Sequence, residues 1–174
     1  MDNKIPIGIS ACLFGQNTRY DGGNRHEPLL MEALNLFILM PLCPEAECGL
    51  GIPREPMRLE GDPENPRLMT INTRCDLTGR MWTWINQRLN ALANENIGGL
   101  ILKARSPSCG KQVAVHGKEA GKIAHSPGLF ARACQERFPD LPIVDEEELR
   151  DPARLADFLK RAAAHTRNIQ EKQR

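Results

Sequence analysis

The segment Gly99-Leu100-Ile101-Leu102-Lys103-Ala104-Arg105-Ser106-Pro107-Ser108-Cys109-Gly110 sets the reading of the whole chain. It opens as a short apolar run, the pattern of a buried strand, and breaks into a loop of small residues that carries a thiol. A strand that ends this way puts a reactive atom at the edge of a sheet, beside backbone N–H groups. The same arrangement occurs twice more: Ile5-Pro6-Ile7-Gly8-Ile9 leads to Ser10-Ala11-Cys12, and Phe37-Ile38-Leu39-Met40-Pro41-Leu42 leads to Cys43-Pro44-Glu45.

Between these runs the apolar period changes from strand to helix. His26 to Leu36 places Leu29, Leu30, Ala33 and Leu34 at helical spacing, with Pro28 in a first turn. Thr78 is expected to cap a helix from about Gly79 to Asn94, whose stripe is Met81, Ile85, Leu89 and Leu92. Ser126-Pro127 opens another helix that stops before Pro139, Leu141 to Val144 is a last strand, and Asp151-Pro152 opens a final helix with Leu155, Phe158, Leu159 and Ala162 on one face. Strands alternating with helices predict an α/β fold: a mostly parallel open sheet with helices on both faces, a Rossmann-like three-layer sandwich. Pro41 to Pro66 reads as a long, ordered, irregular excursion; Arg67 to Ile71 adds a short strand, and residues 111–125 form a hairpin or loop.

The chain has 174 residues, enough for one domain that buries roughly 70% of its unfolded surface. Residues 1–174 are expected to form that single domain, ending in a basic helix end at about 161–174. Lys+Arg 23 against Asp+Glu 22 leaves a net charge of +1, which argues against a strong nucleic-acid surface or recruitment to an acidic membrane. The N-terminus shows no secretory pattern, and no apolar stretch approaches a membrane span. A cytoplasmic protein follows as the expectation, and in a reducing compartment its six cysteines are metal ligands or catalytic groups before they are disulfides.

In a parallel sheet the loops that follow the strands emerge on one edge, where ligands bind. Cys12, Cys43 and Cys109 are therefore expected to converge, although the sequence holds no CxxC pair. Three thiolates and one vacancy suit a zinc ion with an open fourth position, or an iron–sulfur cubane with one iron free to act as a Lewis acid. Residue chemistry leaves both open. Cys134 reads as core, Cys75 as incidental, and Cys48, in the same loop as Cys43, as a possible fourth ligand. Glu45 stands two residues after Cys43; like charge and partial burial there would favour proton uptake. Ser106 and Ser108 can donate hydrogen bonds to a polarised substrate. The Arg19-Tyr20-Asp21-Gly22-Gly23 loop suits a small planar ligand, and Lys103 and Arg54 can bind an anionic group or lie exposed.

On these residues the chain resembles the thiouracil desulfidase family. The matching blocks are Ser10-Ala11-Cys12-Leu13, Arg19-Tyr20-Asp21-Gly22, Cys43-Pro44-Glu45 with Gly49-Leu50 and Pro53-Arg54, and Leu102-Lys103 with Ser106-Pro107-Ser108-Cys109-Gly110. The resemblance implies a [4Fe-4S] cluster on Cys12, Cys43 and Cys109. It implies a non-redox desulfuration of 2-thiouracil or a related thiolated base, with Glu45 and Ser106 catalytic and Tyr20, Asp21, Gly22, Lys103 and Ser108 facing the substrate. The expected enzyme is a monomer acting on a small molecule. Cys48-Gly49 departs from the family's usual glycine pair; Cys48 is expected to stay off the cluster. A zinc hydrolase on the same three cysteines, or a non-catalytic iron–sulfur sensor closed by Cys48, are the competing readings.

Overall fold

A computed structural model describes residues 4–117 and 123–172. In chain order the elements are β1 (Pro6–Ser10), α1 (Pro28–Ala33), β2 (Ile38–Leu42), α2 (Pro44–Glu47), β3 (Met57–Asp62), β4 (Asn65–Thr70), α3 (Thr78–Asn94), β5 (Gly99–Leu102), β6 (Val113–His116), β7 (Ile123–Ser126), α4 (Leu129–Arg137), β8 (Ile143–Asp145) and α5 (Pro152–Lys172), with a 3₁₀ turn at Glu148–Arg150. The fold is mixed α/β with two sheets. One is wholly parallel, in the order β2-β1-β5-β8; the other runs β4-β3-β6-β7.

Successive residues of the parallel sheet enter different cores, as the pleat requires. Leu100 and Leu102 pack with Met81 and Ile85 of α3 and Phe130 of α4. Ile101, between them, packs with Ile7 and Ile9 of β1, Leu30 of α1 and Phe158 and Ala162 of α5. Near-continuous apolar runs in β1 and β5 are thus the signature of strands covered on both faces.

In the second sheet β4 overlaps the short strand expected from Arg67, and β6 and β7 take up the hairpin or loop expected at 111–125, while β3 lies where irregular chain was expected. β3 and β4 form an antiparallel hairpin, β6 joins β3 in parallel with Leu59 opposite Val115, and β7 returns antiparallel to β6. The flanking prolines Pro56 and Pro63 hid β3, although Leu59 is fully buried. Four-residue strands at β6 and β7 are too short for a period to declare itself. The turn of that expected hairpin at 118–122, residues 1–3 and Arg174 of the basic tail lie outside the described residues.

Two helix starts differ from expectation. Thr78 is the first residue of α3, and its hydroxyl accepts the Leu68 N–H at 2.9 Å instead of capping its own helix. Ser126 ends β7, and α4 begins at Leu129 behind Gly128. No helix among the described residues is long and apolar enough to cross a membrane.

Candidate active site at the carboxyl edge of the parallel sheet

Pairing aligns the strand ends that matter, with Ser10 opposite Leu42 and Ile9 opposite Ile101. The loops after β1, β2 and β5 therefore leave side by side. They enclose a cavity of ≈ 430 Å³ whose wall includes Cys12, Cys43, Cys109, Glu45, Ser106 and Ser108. Tyr20 and Lys103 also line it. Asp21 and Gly22 are not among its lining residues: Asp21 accepts the Gly23 N–H at 3.0 Å and Gly22 has φ +77°, so both shape the turn.

Each thiol is set by its own local structure. Cys12 follows β1 after one alanine, and its carbonyl accepts the Arg25 N–H at 2.8 Å. Cys43 precedes α2, whose Glu47 carboxylate takes the Cys43 N–H at 2.9 Å. Cys109 stands at the far end of its loop, well beyond Leu102, and is brought back by α4. The N–H groups of Leu129 and Phe130 donate to the carbonyls of Pro107 and Ser108 at 3.2 and 2.9 Å, and Gly128 N–H donates to Gly110 O at 2.7 Å. Gly128 permits that approach, since a Cβ there would lie 2.6 Å from the Ser108 carbonyl carbon. Ser106 Oγ closes the turn by accepting the N–H groups of Ser108 and Cys109 at 3.3 and 3.2 Å.

The thiols are desolvated and act on one another. Burial first, then the neighbouring Cys43, pushes the Cys12 thiol up to about 11. Burial also raises Cys43, and Cys109 is raised well above the ordinary thiol range by burial, by Cys43 and by Glu45. Cys43 thus acts on both partners. Three such thiols lack a positive centre, the thing that makes buried thiolates favourable. Among the described residues, no three His, Cys, Asp or Glu side chains are grouped to hold a metal ion; Cys12, Cys43 and Cys109 line one cavity wall. Three thiols on one wall are the soft donors that iron–sulfur clusters and zinc take.

Beside the thiols lies a network the sequence only half disclosed. Glu45 is 8% exposed; its Oε1 accepts Ser108 Oγ at 2.9 Å and Ser106 Oγ at 3.5 Å. The two serine oxygens are 3.0 Å apart, and Ser108 Oγ also approaches Cys109 Sγ at 3.8 Å. Oε2 accepts Arg54 Nη2 at 2.6 Å and Nε at 3.0 Å. Arg54 is thus committed to a carboxylate, not available to an anion. Lys103 is likewise committed, with Nζ donating to Glu146 and to the Ala104 carbonyl.

All six cysteines are free. Cys48 is half-buried, is not among the lining residues, and its thiol donates to Glu45 O at 3.4 Å. Cys134 is fully buried in the core around α3 and α4, and Cys75 is exposed.

The chain matches the 2-thiouracil desulfurase family model over residues 7–146. It is 27% identical over 150 residues to the uncharacterized protein YbbK of Bacillus subtilis (strain 168), covering 83% of this chain and 98% of that one. Its structure is similar to that of the [4Fe-4S]-dependent thiouracil desulfidase TudS, with a TM-score of 0.69 and 27% identity over 90% of this chain and 99% of the other. With most of its length matched by the family model, the chain belongs to the 2-thiouracil desulfurase family.

Proposed function

We propose that the chain hydrolyses the thiocarbonyl of 2-thiouracil, or of a related thiolated nucleobase, to the oxo form, using a [4Fe-4S] cluster held by Cys12, Cys43 and Cys109. The observation that carries this is the meeting of two buried thiols, Cys12 and Cys109, and the half-buried thiol of Cys43 with the Glu45–Ser108 pair in one cavity wall. When bound, such a cluster supplies an iron without a cysteine, a Lewis acid for the thiocarbonyl sulfur. Water supplies the oxygen that replaces sulfur at the ring carbon; sulfur leaves as sulfide with the protons of that water, and no electrons are transferred.

The chain's own residues manage the proton. Glu45, with Arg54 in contact on one oxygen and both serines on the other, is the carboxylate placed to accept it. Ser108, buried between Glu45 and Ser106, relays it, while the half-buried Ser106 is the serine nearer to substrate. Tyr20 and Lys103 form part of the substrate's wall. Cys48, off that wall, leaves the fourth position to the substrate. The six free cysteines support a cytoplasmic setting.

Protein purified without oxygen is expected to contain about four iron and four acid-labile sulfide per chain and to convert 2-thiouracil to uracil and sulfide without added reductant. Zinc in place of iron, or a cluster indifferent to thiolated bases, would sink the proposal.

A further inference from the structure

Every nitrogen of the Arg54 guanidinium donates a hydrogen bond. Nε and Nη2 donate to Glu45 Oε2, Nη2 also to the Thr18 carbonyl at 2.9 Å and Nη1 to the Gly51 carbonyl at 3.0 Å. Its main-chain N–H donates to Tyr20 O at 2.8 Å. One side chain therefore joins α2, the loop after β1 and its own loop, where Gly49 and Gly51 hold φ of +89° and +75°. Only 6% of the Arg54 side chain and 11% of the Glu45 side chain is exposed. A buried ion pair contributes little net stability, because desolvation offsets attraction. What it does supply is direction: with Oε2 held, Oε1 is the oxygen left for the serines.

We propose that Arg54 is a positioning residue for Glu45, a planar fork that pins one carboxylate oxygen so that the other faces Ser108. The inference rests on the reading above in which Glu45 takes the proton. Arg54 lines the same cavity, and in this role it acts through Glu45.

Arg54→Lys keeps the charge and removes the fork. It is expected to lower kcat on 2-thiouracil roughly 10- to 100-fold, with KM within about 2-fold, as for a residue that acts through a catalytic group. Iron per chain and cluster absorbance should equal those of the unsubstituted protein. Guanidinium ion added to Arg54→Ala should restore part of kcat, and none in the Arg54→Ala, Glu45→Gln double variant. If Arg54→Ala does not fold, Arg54→Lys serves in its place: added to Glu45→Gln, it should cost nothing further. A raised KM at unchanged kcat would make Arg54 a substrate contact and overturn the proposal, as would full additivity with Glu45→Gln. Loss of iron in Arg54→Lys would also overturn it. Absence of thiouracil turnover by the unsubstituted chain is a separate result, which overturns the functional reading and the proposal with it.

Discussion

The two four-stranded sheets handle their polar groups in opposite ways. In β2-β1-β5-β8 all strands run in one direction, so the loops that follow leave together and crowd Cys12, Cys43, Cys109 and Glu45 into one wall. In β4-β3-β6-β7, two hairpins divide the connections between both edges, and charges settle with neighbours: Arg58 and Arg74 on Glu60, Arg67 on Asp76. This sheet reaches the cavity only through Met57 at the start of β3. Strand direction, more than residue type, separates groups gathered at one edge from groups dispersed over two.

The strongest way to break that contrast is to compare cysteines. Cys12→Ser is expected to abolish both iron binding and thiouracil turnover, measured by iron analysis and uracil release. Cys134→Ala, equally buried but behind the sheet, should keep both and cost about 1 kcal/mol in urea unfolding. Equal iron loss in the two variants would remove the special status of the carboxyl edge.

A smaller effect is expected at Gly128, where the added methyl meets the Ser108 carbonyl. Gly128→Ala should cost about 1–3 kcal/mol of stability, and the displaced Cys109 loop should slow turnover by up to about 10²-fold. An alanine variant with native melting temperature and native kcat would show that α4 does not set the loop.

The smallest effect belongs to the mixed sheet. The Arg74 guanidinium, then Arg58, holds the Glu60 carboxyl down to about 2, against an ordinary value of 4.5. A depressed carboxyl stabilises the fold fully above about 4.5, and that contribution fades as pH falls toward 2. Glu60→Gln should therefore leave turnover at pH 7 unchanged and show a modest stability deficit at neutral pH that closes on acidification. A deficit of constant size from pH 7 to pH 2 would rule out an ionic origin.

Much of the parallel sheet was legible because its strands obey a simple rule: Ile7, Ile9, Leu100, Ile101 and Leu102 are apolar on both faces and fully buried. α3 was legible from Met81, Ile85 and Leu92, all buried on one stripe. Of the mixed sheet only part was legible: β4 overlaps the short strand expected from Arg67 and β6 and β7 the hairpin or loop expected at 111–125, whereas β3 lies between Pro56 and Pro63 and shows one fully buried residue, Leu59. At the site, the thiols were visible from their positions after strands, whereas the Arg54–Glu45 pair was not. It bridges two loops without periodicity, and a Pro-Arg dipeptide does not say which carboxylate it will meet. Ser106 and Ser108 are chemically alike in sequence; only the fold brings Ser108 to 2.9 Å from Glu45 and leaves Ser106 at 3.5 Å.

The three cavity thiols belong to three different strand ends, and this governs the order of assembly. A chain still leaving the ribosome has Cys12 and Cys43 long before it has Cys109, and no two of them form a local chelating pair. The trio comes into being only when β1, β2 and β5 have paired, a late, non-local event in folding. With the ligand set proposed above, a nascent chain holds no complete site for a cluster until β5 has paired.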